Sequence, residues 1–297
     1  MSEKAKNKHW LQKHKTLRRI YQQIYYGICK RHIYALTGPL RVLPDFVVIG
    51  VVRGGTTSLY QYLGEHPCIV RSAYDELGFF DSNFELGLNW YRSLFPTVFT
   101  KNRIKSRQKQ FMTFDVTPFY IYNPKVAQRI LETLPKAKLI AILRNPIDRA
   151  YSNYHLGVRG GNEKRSFEDA IKEDVKTLEH AKSSNIAENE YYQSIVEKSY
   201  LARGFYAEQL KIWMNLFPKE QLIVISTENL AADPHKTLGQ VFSFLGLPEY
   251  KIKDLEKKNE AKYPQMNPET RKFLADYFRP YNQQLYELLG RKFEWDE

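Results

Sequence analysis

The sequence predicts an α/β protein, a single domain with a central parallel sheet of about five strands flanked by helices and a P-loop-like phosphate-binding loop. Three observations predict it. Short, near-continuous apolar runs alternate with helix-period segments, as in a sheet buried on both faces. The first of these runs ends in a Gly/Thr-rich loop that opens a helix. A later run leads straight into an Arg-Asn-Pro helix start, with Pro at the position a first helical turn tolerates best.

The elements follow in order. Residues 9–34 carry Leu11, Leu17, Ile20, Tyr21, Ile24, Tyr25 and Ile28 at helical spacing. Residues 1–43 are therefore expected to form a basic amphipathic helical extension, and residues 44–297 the domain proper. Packing on the main domain suits that stripe, as does contact with a membrane surface or a second subunit. Thr37-Gly38-Pro39 and Pro44 punctuate the chain before the first strand, 45–51. The helix after the loop turns Leu59, Tyr62 and Leu63 inward and is stopped by Gly64 and Pro67. Further strands are expected at 68–70, 110–117, 138–143 and 221–226, and helices at 124–134, 146–156, 166–179 and 201–216. Residues 157–200 are the most polar and least regular stretch and are expected to supply a substrate-facing flap.

Composition narrows the function classes. The chain has 297 residues, 43% hydrophobic and 26% charged, which suits a folded globular protein. Its formal charge is +12, but residues 1–34 hold nine Lys/Arg against Glu3 alone, leaving +4 for the rest. No nucleic-acid partner is expected from so mildly basic a domain. No apolar run reaches the roughly 20 residues of a membrane span, and no secretory h-region follows the N-terminus. Two cysteines, Cys29 and Cys68, give neither a disulfide framework nor a metal-ligand pattern, and no His/Cys cluster implies a metal. The expected compartment is the cytoplasm.

The loop Gly50-Val51-Val52-Arg53-Gly54-Gly55-Thr56-Thr57-Ser58 turns backbone N–H groups and a helix N-terminus toward an anion. Gly54 and Gly55 allow tight turns and close approach, and Thr56, Thr57 and Ser58 add hydroxyl donors. The Gly50-x4-Gly55 spacing imitates a nucleotide-hydrolysing P-loop, yet Thr56 stands where that motif needs Lys. Arg53 supplies the cation instead, which demotes a kinase or NTPase. A second anion site is expected at Arg144-Asn145-Pro146-Ile147-Asp148-Arg149-Ala150-Tyr151-Ser152, where Asn145 caps the helix. Arg144 sits at the carboxyl edge of the sheet, where parallel α/β proteins bind ligands. Ser152, two turns on, joins it only if the helix runs along the ligand. His155 reads as a helix-surface histidine.

Together these elements resemble the sulfotransferases that use 3′-phosphoadenosine 5′-phosphosulfate (PAPS), over roughly residues 44–290, and in particular the heparan-sulfate type. Arg53-Gly54-Gly55-Thr56-Thr57-Ser58-Leu59 is similar to the family's 5′-phosphosulfate loop, and residues 143–152 to its 3′-phosphate element. Glu76-Leu77-Gly78-Phe79-Phe80 resembles the segment carrying its general base, with Asp75 and Asp81 as rivals. Gly204-Phe205-Tyr206, Phe244-Leu245-Gly246 and Lys262-Tyr263-Pro264 follow in order.

The resemblance implies transfer of a sulfuryl group from PAPS to a hydroxyl or amine of a carbohydrate or small polar acceptor, leaving PAP, with no metal. It implies Glu76 as base, Arg53 in catalysis, and Arg53, Gly54, Gly55, Thr56, Thr57, Ser58, Arg144, Ser152, Tyr206, Lys262 and Tyr263 as cofactor-binding residues. Three positions depart from the pattern: Arg53 where the heparan type places Lys, Val116 where it has a second Lys, and no Gly-Arg pair before Lys262. Lys257, Lys258 or Lys262 is expected to compensate for the last. The alternatives are a P-loop-like kinase and a non-catalytic protein that binds PAP or polyanions.

Overall fold

The computed structural model describes residues 34–184, 191–253 and 263–295. The basic stripe up to residue 33, and Lys257, Lys258 and Lys262, lie outside the described residues.

Five strands, β1 (Phe46–Gly50), β2 (Ile69–Arg71), β3 (Met112–Val116), β4 (Lys138–Leu143) and β5 (Leu222–Ser226), form one parallel sheet in the order β2-β3-β1-β4-β5. Ten helices are described: α1 (Thr56–Leu63), α2 (Gly87–Ser93), α3 (Val98–Gln108), α4 (Pro124–Thr133), α5 (Pro146–Arg159), α6 (Phe167–Ser183), α7 (Tyr206–Leu216), α8 (Thr227–Ala232), α9 (Pro234–Leu245) and α10 (Pro268–Leu289). Strand side chains alternate between two cores, as a two-residue period requires. Val47 and Ile49 of β1 with Leu139, Ala141 and Leu143 of β4 face the core shared with α4 to α7 and α10. Phe46, Val48, Ile140 and Ile142 face the core shared with α1 and α9.

That division positions the site. The helix after β1 packs on one face and the helix after its neighbour β4 on the other, so the two loops diverge at the carboxyl edge. The crevice opened by such a reversal is where open α/β sheets bind ligands. The β1–β4 register also shifts between Val48 and Gly50, just where β1 leaves the ladder for the loop.

All five expected strands are present, with ends moved by one or two residues. The helix expected over 201–216 is instead a 3₁₀ turn at Ala202–Gly204 followed by α7. Gly204 meets the start of α5 there: a Cβ would lie 2.8 Å from the Phe278 ring and 2.9 Å from Pro146 Cβ. Within the stretch expected to be least regular, the helix expected over 166–179 is present as the 17-residue α6, capped by Ser166 and packed on the core through Phe167, Ile171 and Leu178.

Candidate active site

A cleft of about 1100 Å³ opens at the carboxyl edge. Its walls include Arg53, Gly55, Thr56, Thr57 and Ser58 from the first loop, Arg144 and Ser152 from the β4–α5 element, and Glu76 and Tyr263. The fold thus brings together residues up to 210 positions apart in the chain.

The loop is built to present donors. Gly55 takes φ +85° and offers no side-chain cap to α1, so the first-turn N–H groups face the cleft without a protein acceptor of that kind. Arg53 also holds left-handed backbone, φ +67°, a conformation that costs a non-glycine residue about 1 kcal/mol. It aims the side chain across to α5, where Nε donates to Ser152 Oγ at 2.9 Å. Arg144 Nη1 donates to the Arg53 carbonyl at 3.2 Å. Burial pulls the Arg53 guanidinium below its ordinary range, and the neighbouring Arg144 and Arg159 cations push the same way. Among the described residues, neither Arg53 nor Arg144 has a carboxylate within salt-bridge distance. Cations gathered with no carboxylate paired to them are a site for an anion.

Two of the expected cofactor residues stand elsewhere. Gly54 is buried behind the loop rather than on the cleft wall: its carbonyl accepts from Thr227 Oγ1 at 2.6 Å and its N–H donates to Val51 at 2.9 Å. Tyr206 is fully buried and does not line the cleft; its hydroxyl donates to the Arg144 carbonyl at 2.7 Å. Its place in α7, whose face is turned to the core, makes it a positioning residue for Arg144. The His155 ring stacks on Tyr263 at 4.6 Å and 8°, meets Tyr151 edge-on at 4.5 Å, and its Nε2 is buried without a hydrogen-bond partner. It is half-buried on α5 within an aromatic cluster that includes Tyr263, and it does not line the cleft.

Glu76, also at positive φ (+56°), is fixed by its N–H donating to the Val116 carbonyl at 2.7 Å. The residues after it rest on a buried carboxylate. Tyr91 and Tyr120 hydroxyls donate to Asp115 Oδ2 at 2.9 and 3.1 Å, and Thr117 to Oδ1 at 2.9 Å. In turn Gly78 N–H donates to Thr117 Oγ1 and Phe80 N–H to the Tyr120 hydroxyl, each at 3.2 Å. Burial pushes Asp115 up to about 6 despite those three donors. Glu76 is solvent-accessible through the cleft mouth, yet its carboxyl is shielded enough by surrounding atoms to be raised above the usual range. Asp75 adds to the rise and Arg53 opposes it. Asp75 and Asp81 do not line the cleft. Val116 does not either; its side chain is buried in the core beside α1.

Several wall residues escaped sequence reading. Arg203 is buried, lies 5.2 Å from the Phe119 ring, and lines the cleft with Lys198 and Glu197. Glu163 is held down at about 2 by its ion pair with Arg165 at 2.7 Å and by N–H donors from Lys164 and Arg165. Thr227 and Glu228 follow β5, and Glu228 Oε1 accepts the Asn145 N–H at 2.8 Å. The end of β5 at the carboxyl edge was a usable signal for these two. Arg203 had one as well, standing directly before the Gly204-Phe205-Tyr206 motif.

Comparison with known proteins places the geometry. Residues 43–285 match the family described as Sulfotransferase domain. A Dictyostelium discoideum protein named membrane-associated sulfotransferase kil1 is 29% identical, over 87% of this chain and 68% of its own length. The human bifunctional heparan sulfate N-deacetylase/N-sulfotransferase 3 is 32% identical over 84% of this chain. The match spans only 30% of that enzyme's length. A sulfotransferase crystal structure from Alicyclobacillus acidocaldarius superposes with a TM-score of 0.65 at 27% identity, covering 86% of this chain and all of that one.

The expected cytoplasmic location is overturned by the membrane association named for the Dictyostelium relative. Cysteine count and the lack of a long apolar run do not report where a chain is held, because a protein can associate with a membrane without spanning it. Among the described residues no helix is long and apolar enough to cross one. The sulfotransferase reading prevails over a P-loop kinase and over a non-catalytic polyanion binder. With a sheet, a cleft and a 243-residue match in agreement, this chain belongs to the sulfotransferase domain family.

Proposed function

We propose that the cleft binds PAPS and that Glu76 serves the transfer of its sulfuryl group to a hydroxyl or amine of a carbohydrate. The observation that carries this is one wall joining Arg53, Arg144 and the uncapped start of α1, without a carboxylate partner, to a carboxylate raised in pKa. The donor set fits the group: phosphates match guanidinium forks and helix N-termini. The loop from Arg53 to Ser58 would hold the 5′-phosphosulfate, and Arg144 with Ser152 the 3′-phosphate. Tyr263 would close over them, with Lys262 beside it in sequence.

When bound, PAPS supplies a sulfuryl group activated by its link to the 5′-phosphate. Glu76 takes the acceptor's proton, and its raised pKa suits a base working near neutrality. Arg53 and the loop donors neutralise charge developing on the departing phosphate, each such contact contributing about 3 kcal/mol, roughly a hundredfold in rate. Arg203 and Lys198 line the cleft that also holds Glu76 and would supply positive charge in it, in place of the Lys absent at position 116. A carbohydrate acceptor is supported by the heparan sulfate enzymes among the relatives.

Calorimetric titration with PAP, using ADP as control, tests the donor, and transfer of labelled sulfate from PAPS to a panel of glucosamine- and uronate-containing oligosaccharides tests the acceptor. PAP binding much tighter than ADP, with label on a saccharide, is the expected result. Equal affinity for the two nucleotides would remove the 3′-phosphate assignment.

A further inference from the structure

The seam that leads the chain into β1 lies apart from the cleft, and none of its residues lines it. A 3₁₀ segment, Tyr34–Leu40, runs along α2 so closely that a Cβ at Gly38 would lie 2.6 Å from the Asn89 carbonyl oxygen. Arg41 then pairs antiparallel with Thr97, its guanidinium donating to the Phe95 carbonyl at 2.7 Å, while Val42 N–H donates to Pro96 at 3.1 Å. This pairing sets Leu40 beside Val98, the first residue of α3.

Six of the ten large hydrophobic side chains exposed among the described residues gather on this seam: Tyr34, Leu36, Leu40, Leu88, Val98 and Phe99. Leu36 is 80% exposed, Phe99 76% and Leu40 68%. Scattered exposed apolar residues need no explanation, but a contiguous set does. The helix that begins here is also unusual. α3 buries no residue, contains no acid, and continues from Phe99 into Lys101, Arg103, Lys105 and Arg107, with Lys109 at its end. The sequence that feeds the seam, residues 1–34, adds nine Lys/Arg against one acid.

We propose that this seam is a docking face for an anionic phospholipid surface. Leu36, Leu40 and Phe99 enter the boundary between headgroups and acyl chains, while the α3 cations meet lipid phosphates and carboxylates. Charge complementarity and the apolar centre select this occupant. A nucleic acid or a polyanionic glycan would use the cations but leave six apolar side chains in water. A second copy of the chain seated on the seam would bring two like-charged α3 helices together. The face is independent of the chemistry in the cleft.

The test uses the full chain with vesicles of phosphatidylcholine containing about 30 mol% phosphatidylserine, against phosphatidylcholine alone. Sedimentation should show binding to the anionic vesicles that weakens at least about tenfold without phosphatidylserine and falls as salt shortens the screening length. Leu40→Asp with Phe99→Asp should weaken it by a further tenfold or so, with PAP affinity and circular dichroism unchanged. A solvatochromic dye on Phe99→Cys, in a Cys29→Ser background, should shift to the blue only when anionic vesicles are added. Undiminished binding by the double Asp variant would overturn the proposal. So would a dye already blue-shifted without vesicles, which would mean that another segment of this chain covers the face. Vesicle binding competed away by heparin with no dye shift would reassign the seam to polyanions. Dimerisation abolished by the double variant would reassign it to self-association.

Discussion

Replacing Arg144 with alanine separates a ligand-binding cation from a structural one, because the two roles predict opposite signs in the free and bound protein. In the free protein Arg144 lies beside Arg53, adds to the forces that disfavour the Arg53 charge, and has no carboxylate partner among the described residues. The one hydrogen bond its side chain makes among the described residues, to the Arg53 carbonyl, is long at 3.2 Å. Removing it relieves repulsion and forfeits a weak contact, so the free variant should melt no lower than wild type. In the complex it forfeits a charge-assisted contact to phosphate, about 1.5–3 kcal/mol. At 1.36 kcal/mol per tenfold, PAP affinity should drop by roughly 10- to 150-fold. The assay is thermal unfolding with and without PAP, paired with calorimetric titration. An Arg144→Ala protein that melts lower while keeping the full PAP-induced rise would refute the reasoning and make Arg144 a structural residue.

Gly54→Ala would put a Cβ 2.7 Å from the Ile142 carbonyl oxygen and 3.0 Å from the Val51 carbonyl oxygen, backbone atoms that can yield only if the β1–β4 edge moves. It should cost about 1–3 kcal/mol and several degrees in Tm, measured by calorimetric melting; an unchanged Tm would show that the loop does not depend on that approach. Asp115 binds its proton more tightly folded, near pH 6, than unfolded, so its contribution is fully present below about pH 4 and lost as pH rises through 6. The gap of roughly two pKa units corresponds to about 3 kcal/mol. Urea unfolding of wild type minus Asp115→Asn should therefore show a difference that changes between pH 4 and 6 and is flat above; a pH-independent difference would contradict the buried, proton-sharing carboxylate.

How far the sequence reveals this site depends on what kind of signal each residue leaves. The loop from Arg53 to Ser58 and the Arg144 element were readable because strand, turn and helix signals sit side by side in the chain and fix their own local geometry. Gly54 was correctly read as a residue of close approach, but the thing approached is the β4 backbone rather than a ligand, and only the fold shows which. Tyr206 stands in a matching motif, and helix phase turned it into the core, where it reaches the site through the Arg144 carbonyl alone. His155 was read as a residue of the α5 surface, where it stands half-buried, but its aromatic neighbours were not foreseen because the cluster is assembled partly by Tyr263, 108 residues away. Glu163 and Lys198 come from a stretch whose polar composition carries no period, so nothing local announced that they line the cleft; Arg203 had the Gly204-Phe205-Tyr206 motif directly after it as a signal. The seam of Leu36, Leu40 and Phe99 was invisible for a related reason: single apolar residues in short segments look like core until the fold leaves them outside.

The measurement that tests the central claim most directly is the turnover of Glu76→Gln with PAPS and a saccharide acceptor, with PAP affinity measured on the same preparation. The variant keeps size and backbone but loses the base. The account predicts PAP affinity within about twofold of wild type and a rate lower by roughly a hundredfold or more, with the wild-type rate falling as pH drops through the raised Glu76 pKa and the variant lacking that limb. Wild-type turnover in Glu76→Gln, with PAP still bound, would contradict it and remove Glu76 from the chemistry.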